Sequence, residues 1–145
     1  MPHPVLLVNG PNLNTLGTRE PEIYGHETLA DIEAACKKAA ASLGLSMDCF
    51  QSNHEGELVD QIQKAGKTHK GLLINAGAYT HTSIAIMDAL LTLSIPVIEV
   101  HMSNIFRRES FRHESYVSKA AKGVICGFGS DSYLLGLQAI AKLVK

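Results

Sequence analysis

Residues 72–100 read LLINAGAYTHTSIAIMDALLTLSIPVIEV. Two short apolar runs, Leu72-Leu73-Ile74 and Val97-Ile98-Glu99-Val100, stand on either side of a helical pattern. Between them Ile84, Met87 and Leu91 recur at helical spacing, and Thr82 or Ser83 stands where a helix would be capped. Strand, helix and strand in this order read as one crossover unit of a parallel sheet.

The same alternation extends in both directions. Upstream lie Val5-Leu6-Leu7-Val8 and Met47 to Phe50, and downstream lies Val124-Ile125-Cys126. Leu29, Ile32, Cys36, Ala39 and Leu43 share a helical face that Gly44 would end. Leu58, Ile62 and Ala65 mark a helix stopping near Gly66, and Leu134, Leu137, Ile140 or Ala141, and Val144 mark the last. Near-continuous apolar strands belong to a sheet covered on both faces. The expected fold class is α/β: a flavodoxin-like three-layer sandwich with a five-stranded parallel sheet, order 2-1-3-4-5. Ligands of such sheets bind beyond the carboxyl ends of the strands, at the switch point between strands one and three.

At 145 residues, 46% hydrophobic and 19% charged, the chain reads as a single soluble catalytic domain spanning 1–145. A chain of that length buries about two-thirds of its unfolded surface. A net charge of −1 offers no footprint for nucleic acid or an acidic membrane. No apolar run approaches the roughly 20 residues that span a bilayer, and the start MPHPVLLVNGP is not a secretory signal. The expectation is a cytoplasmic protein with no nucleic-acid or membrane partner. Cys36, Cys49 and Cys126 form no CxxC and read as small apolar residues, while the histidines form no HExxH. No metal is expected. There is no GxxxxGK[ST], no GxGxxG opening the first helix, and no lysine at the strand ends, so no cofactor is expected either.

The polar residues gather where the strands end. The first strand runs into VNGPNLNTLGTREPEIYG (8–25), which carries Asn9, Asn12, Asn14, Arg19, Glu20 and Tyr24, with Gly10, Gly17 and Gly25 as hinges. It reads as an active-site loop that moves. Glu99 and His101 lie two apart on one strand and so share a face. A carboxylate there orients the imidazole and favours its charged form, which suits a general acid; alternatively Glu99 binds only backbone or water. Tyr24 would need help to act as a base, because a phenol with pKa near 10 is ionised to about one part in a thousand at pH 7. Arg19 on the same loop could supply it, although spacing alone favours a packed tyrosine and a solvated arginine. His81 suits either a ligand contact or a cap. Asp88 reads as a solvated helix residue. The arginines and aromatics of 104–113 fit a small anionic ligand or subunit contacts. A base, an acid and neutral hydrogen-bonding groups suit proton abstraction beside a carbonyl, followed by elimination.

Four segments, NGPNLNTLGTREPEIYG (9–25), QSNHEGELVDQI (51–62), INAGAYTHTSIAIMDAL (74–90) and VIEVHMSNIFRRESFRHES (97–115), resemble the type II 3-dehydroquinate dehydratases over essentially the whole chain. The resemblance implies reversible anti dehydration of 3-dehydroquinate to 3-dehydroshikimate through an enolate, with neither metal nor imine. It implies Tyr24 as base, Arg19 as its partner and His101, positioned by Glu99, as acid. Asn12 would place a water at the enolate oxygen. Asn75, His81, Ser103, Arg112 and the backbone at Met102 would bind substrate, and Asp88 would enter from an adjacent subunit. Trimers would assemble into a homo-oligomeric dodecamer. Met102 departs from the Ile or Leu more usual in the family, and Thr92 from an acidic residue found in some members. The competing reading is a flavodoxin-like binding or signalling module without catalysis, whose long loop grips a ligand.

Overall fold

The computed structural model describes residues 1–18, 21–24 and 26–144, with residues 23 and 24 as backbone only. In chain order the elements are β1 (His3–Asn9), α1 (Pro21–Tyr24), α2 (Leu29–Ser42), β2 (Leu45–Gln51), α3 (Glu55–Thr68), β3 (Gly71–Asn75), α4 (Ile84–Leu91), β4 (Val97–His101), β5 (Gly123–Cys126) and α5 (Asp131–Leu143). The strands are parallel in the order β2-β1-β3-β4-β5, as expected from the sequence.

Alternation along the strands divides the core in two. Val5, Leu7, Leu73, Ile98 and Val100 face α2 and α5, packing on Ile32, Cys36, Leu137 and Ile140. Leu6, Val8, Leu72, Ile74 and Val97 face α3 and α4, packing on Leu58, Ile62, Ile86 and Leu90. Each such side chain, fully buried, contributes about 1.5–3 kcal/mol. These two cores hold the carboxyl edge of the sheet as a fixed platform.

Local signals explain the helix bounds. Thr28 and Asp31 exchange side-chain and backbone hydrogen bonds at 3.2 and 3.1 Å, a capping box that starts α2. Gly44 follows the end of that helix with φ +76°, the left-handed conformation expected there. Ser83, rather than Thr82, caps α4 by accepting from the Ile86 N–H at 2.9 Å.

Three expectations need correction. Helix α3 runs through Gly66 to Thr68. A Cβ at Gly66 would come within 3.0 Å of the Leu93 side chain, so this glycine permits close packing and does not stop the helix. Ile84 and Leu91, read as one face of α4, are 53% and 56% exposed, and the core is met by Ile86, Ala89 and Leu90. Leu43 is likewise exposed, and Ala40 takes the buried place on α2.

Candidate active site

The polar residues lie where the strands stop. The registers Asn9↔Gln51, Asn9↔Asn75 and Ile74↔Glu99 set these groups at neighbouring levels of one sheet edge. Asn9 and Asn75 are buried amides, and such groups need partners. The partner is Tyr133 of α5, which is fully buried and stands between them. Asn75 Nδ2 donates to the Tyr133 hydroxyl at 2.8 Å, and that hydroxyl donates to Asn9 Oδ1 at 2.7 Å. The Gly77 N–H donates to Asn75 Oδ1 at 3.2 Å. Burial pushes the Tyr133 phenol well above its ordinary value, with the Asn75 hydrogen bond opposing in part.

On β4, Glu99 is 0% exposed and His101 is 5% exposed. His101 Nε2 lies 2.5 Å from Glu99 Oε2, which also accepts from the Ser115 hydroxyl at 2.7 Å. The Ser118 hydroxyl donates to Glu99 Oε1, and the Ser118 N–H donates to Ser115 Oγ at 3.0 Å. Burial pushes the Glu99 carboxyl up. Its hydrogen bond and attraction to His101, then the Ser118 and Ser115 hydroxyls, outweigh that and hold it below the ordinary range. Glu99 is thus an ionised carboxylate inside the fold, which is affordable only with such partners.

The ring of His81 stacks near that of His101, centroids 6.4 Å apart and 21° between planes. Its Nδ1 is 2.7 Å from the Glu114 carbonyl, so Nδ1 carries the proton and Nε2 is the acceptor of the neutral ring. Burial lowers the His81 pKa; the Glu114 carbonyl opposes this, while His101 and Arg112 lower it further.

These groups surround a cleft of roughly 210 Å³. Three stretches of chain line it: Pro11, Asn12 and Leu13 after β1; Asn75, Gly77, Ala78 and His81 at and after the end of β3; and His101, Met102, Ser103, Ile105, Arg108 and Arg112 at and after the end of β4. Asn12 adopts a left-handed backbone (φ 70°), and its N–H donates to Asn53 Oδ1 at 3.0 Å. Leu13 and Leu16 drop into the α2/α5 core, so residues 10–18 are anchored, with a 3-10 turn at Leu13–Thr15. Gly10, read as a hinge, serves a different end: a Cβ there would collide with the Ala76 backbone, so glycine lets the ends of β1 and β3 touch.

The cleft therefore brings together Asn12, Asn75, His81, His101, Met102, Ser103 and Arg112 of the residues singled out in the sequence, with Glu99 directly behind His101. Asp88 is exposed on α4 and does not line it. Arg19 and Gly25 lie outside the described residues, as does the side chain of Tyr24. Sequence reasoning missed Tyr133, Ser115, Ser118 and Arg108. Tyr133 could have been noticed as a phenol on the apolar row of Leu137 and Ile140; the two serines carry no local pattern. Arg108 donates to Ser103 Oγ at 3.3 Å and belongs to the arginine-rich segment already read as suited to an anion. Among the described residues no three His, Cys, Asp or Glu side chains gather as a metal site, and no helix is long and apolar enough to cross a membrane.

The family model described as dehydroquinase class II matches residues 3–141. The chain is 59% identical over 138 residues to 3-dehydroquinate dehydratase 1 of Bradyrhizobium diazoefficiens, covering 94% of this chain and 89% of that one. It is also 59% identical over 141 residues to the 3-dehydroquinate dehydratase of Brucella canis, covering 97% and 90%. Among solved structures, the type II dehydroquinase from Propionibacterium acnes superposes with a TM-score of 0.94 at 42% identity, covering 98% of each chain. A 3-dehydroquinate dehydratase-like protein from Bifidobacterium longum gives 0.74 at 28% identity, covering 97% of each.

Proposed function

The chain belongs to the class II dehydroquinase family, and from that premise we propose that it removes water from 3-dehydroquinate using acid and base side chains of its own. The enzyme is a hydro-lyase, a 3-dehydroquinate dehydratase. In our reading the elimination is anti, passes through an enolate and yields 3-dehydroshikimate. Tyr24, a phenolate held by Arg19, takes the proton from the carbon beside the ketone. The electron pair left behind forms the enolate, whose oxygen meets a water placed by Asn12. Collapse of the enolate expels the hydroxyl as it takes a proton from His101, so the group departs as water. Tyr24 has then gained a proton and His101 has lost one, and exchange through solvent restores both. No metal, imine or cofactor takes part in this scheme.

Asn75, His81, Ser103, Arg112 and the Met102 N–H hold the substrate's hydroxyls and carboxylate in this reading. Asp88 reaches the site of an adjacent subunit in trimers that build a dodecamer. One catalytic domain over 1–145, working in the cytoplasm for aromatic biosynthesis or quinate breakdown, completes the proposal.

The observation that carries the proposal is the pair at the cleft wall. His101 lines the cleft, and its Nε2 lies 2.5 Å from a carboxylate withdrawn from water. Such a carboxylate orients the ring and stabilises the positive charge a general acid must carry. The test is to add 3-dehydroquinate and follow ultraviolet absorbance of the conjugated enone product, with and without chelator and after borohydride treatment in the presence of substrate. Absorbance that grows regardless of both treatments supports the scheme. No growth from folded, assembled protein overturns it.

A further inference from the structure

The hydrogen bonds joining Asn9, Tyr133 and Asn75 have a direction, and the backbone sets it. The Gly77 N–H can only donate, so the Asn75 atom it meets at 3.2 Å is the amide oxygen. The other arm of that amide, Nδ2, therefore faces Tyr133 and donates to its hydroxyl oxygen at 2.8 Å. A phenol has one proton to give, and this one goes to Asn9 Oδ1 at 2.7 Å. Burial keeps the phenol in its protonated form, so the direction holds across the working pH range.

Asn9 bears the consequence. Its amide presents oxygen to the phenol although Nδ2 is then buried without a hydrogen-bond partner among the described residues. Buried donors are seldom left unpaired, so a strong local demand is setting this orientation. At the other end, Asn75 Nδ2 carries two hydrogens and spends one on Tyr133. Asn75 lines the cleft, so the second N–H is available to a ligand there.

We propose that Tyr133 is a positioning residue: the Gly77 N–H sets which end of the Asn75 amide is oxygen, and the phenol oxygen, by accepting from Nδ2, holds that amide so that its second N–H meets a ligand oxygen that accepts. The inference rests on the dehydratase reading for its ligand, whose hydroxyl, ketone and carboxylate oxygens are all such acceptors. Tyr133 never touches substrate in this account. It acts by anchoring Nδ2 of an amide whose oxygen Gly77 already holds, so that the plane and angle of Asn75 are fixed at both ends.

Tyr133→Phe keeps the ring that fills the α2/α5 core and removes only the oxygen. With 3-dehydroquinate, KM rises about tenfold, kcat changes less than about threefold, and both limbs of the pH profile stay in place, because a binding contact common to ground and transition states is lost. In an Asn75→Ala background the same substitution adds nothing, since the group it positions is gone. A purely structural role for Tyr133 would lower the folded fraction, and so the apparent kcat, while leaving KM unmoved. An unchanged KM, or losses that multiply in the double variant, overturns the inference. Should Tyr133→Phe fail to fold, Asn9→Ala carries the test: it frees the phenol proton to turn toward Asn75, so KM must rise there too, and an unchanged KM again overturns it. A wild-type protein without turnover overturns the dehydratase reading and this inference together. A wild type that turns over beside an unaltered variant overturns this inference alone.

Discussion

Glu99 and Glu109 are both carboxylates beside basic partners, and they differ in what surrounds them. Glu99 is fully buried, with His101 at 2.5 Å and two serine hydroxyls on its oxygens. The Glu109 side chain is 52% exposed, with Arg112 Nε at 3.0 Å and Arg108 Nε at 3.7 Å. Both carboxyls are held below their ordinary value, by different routes. For Glu99, burial pushes upward and is outweighed by His101 and the serines. For Glu109, its own backbone N–H comes first, a small burial effect opposes, and Arg112 and Arg108 add to the lowering. A buried pair cannot lose one member without stranding the other, whereas an exposed pair is replaced by water and screened by salt. Similar charges thus make a rigid cleft wall in one place and an adjustable rim in the other.

The sharpest way to break the comparison is to ask whether the buried wall suffices for turnover. In the proposed mechanism it supplies only the acid, and the base comes from the loop carrying Tyr24. Tyr24→Phe should therefore leave assembly intact while kcat falls about a thousandfold or more, within the range a positioned base contributes. Turnover near the wild-type rate would remove Tyr24 from the mechanism and leave the strand ends to supply both proton transfers.

The buried pair itself is tested by Glu99→Gln. The amide keeps the shape and loses the charge, so kcat should fall on the order of a hundredfold. The pH–rate profile should also change, because the His101 ring then faces an amide in place of a carboxylate; an unaltered profile would uncouple Glu99 from His101. Stability offers an independent reading. The folded Glu99 carboxyl titrates below its ordinary value of 4.5. Its contribution is therefore complete above that value and is lost as pH falls through the lower folded one. Denaturant unfolding of wild type and variant should differ by about 1–3 kcal/mol at neutral pH and converge in acid. A constant gap across pH would mean the carboxylate's charge does not stabilise the fold.

The same contrast explains what could be read in advance. Strand order, the crossover helices and the Glu99–His101 pairing depend on period and alternation, which are local, and they were legible in Leu72–Ile74, Ile84–Leu91 and Val97–His101. The face that α4 turns inward was misread because Ile84, Met87 and Leu91 are as apolar as Ile86, Ala89 and Leu90, and only the sheet decides between them. Gly66 and Gly10 were misread because a glycine needed for close packing looks like one needed for a turn. Ser115 and Ser118 were invisible because their partner Glu99 lies far off in the chain and no spacing rule reaches them, while Tyr133 shows on an apolar helical row without its partner Asn9 being named by any spacing. Residues that act directly on a ligand tend to sit at strand ends, where a rule points. Residues that hold them in place come from wherever the packing brings them.

On the rim, Arg112→Ala should act on affinity more than on rate. Arg112 lines the same cleft as His81 and Ser103, and in the proposed reading an anionic substrate would meet it before and during the chemistry alike. KM should rise about tenfold with kcat changed less than about threefold, the signature of uniform binding. A large fall in kcat with KM unchanged would instead make Arg112 part of the transition-state machinery and erase the distinction between wall and rim.

The smallest effect is expected at Glu109, and its sign is informative. Its carboxylate accepts from Arg112 Nε at 3.0 Å, so in the proposed reading it would compete with a substrate carboxylate for that guanidinium. Glu109→Gln should therefore leave the melting temperature unchanged, as removal of an exposed ion pair usually does. KM should fall slightly, by at most about twofold at low salt, and the difference should vanish near about 1 M salt, where the screening length shrinks to about 3 Å. A KM that rises severalfold would mean that Glu109 holds Arg112 in its working position. The exposed pair would then act as the buried one does, and exposure would no longer separate the wall from the rim.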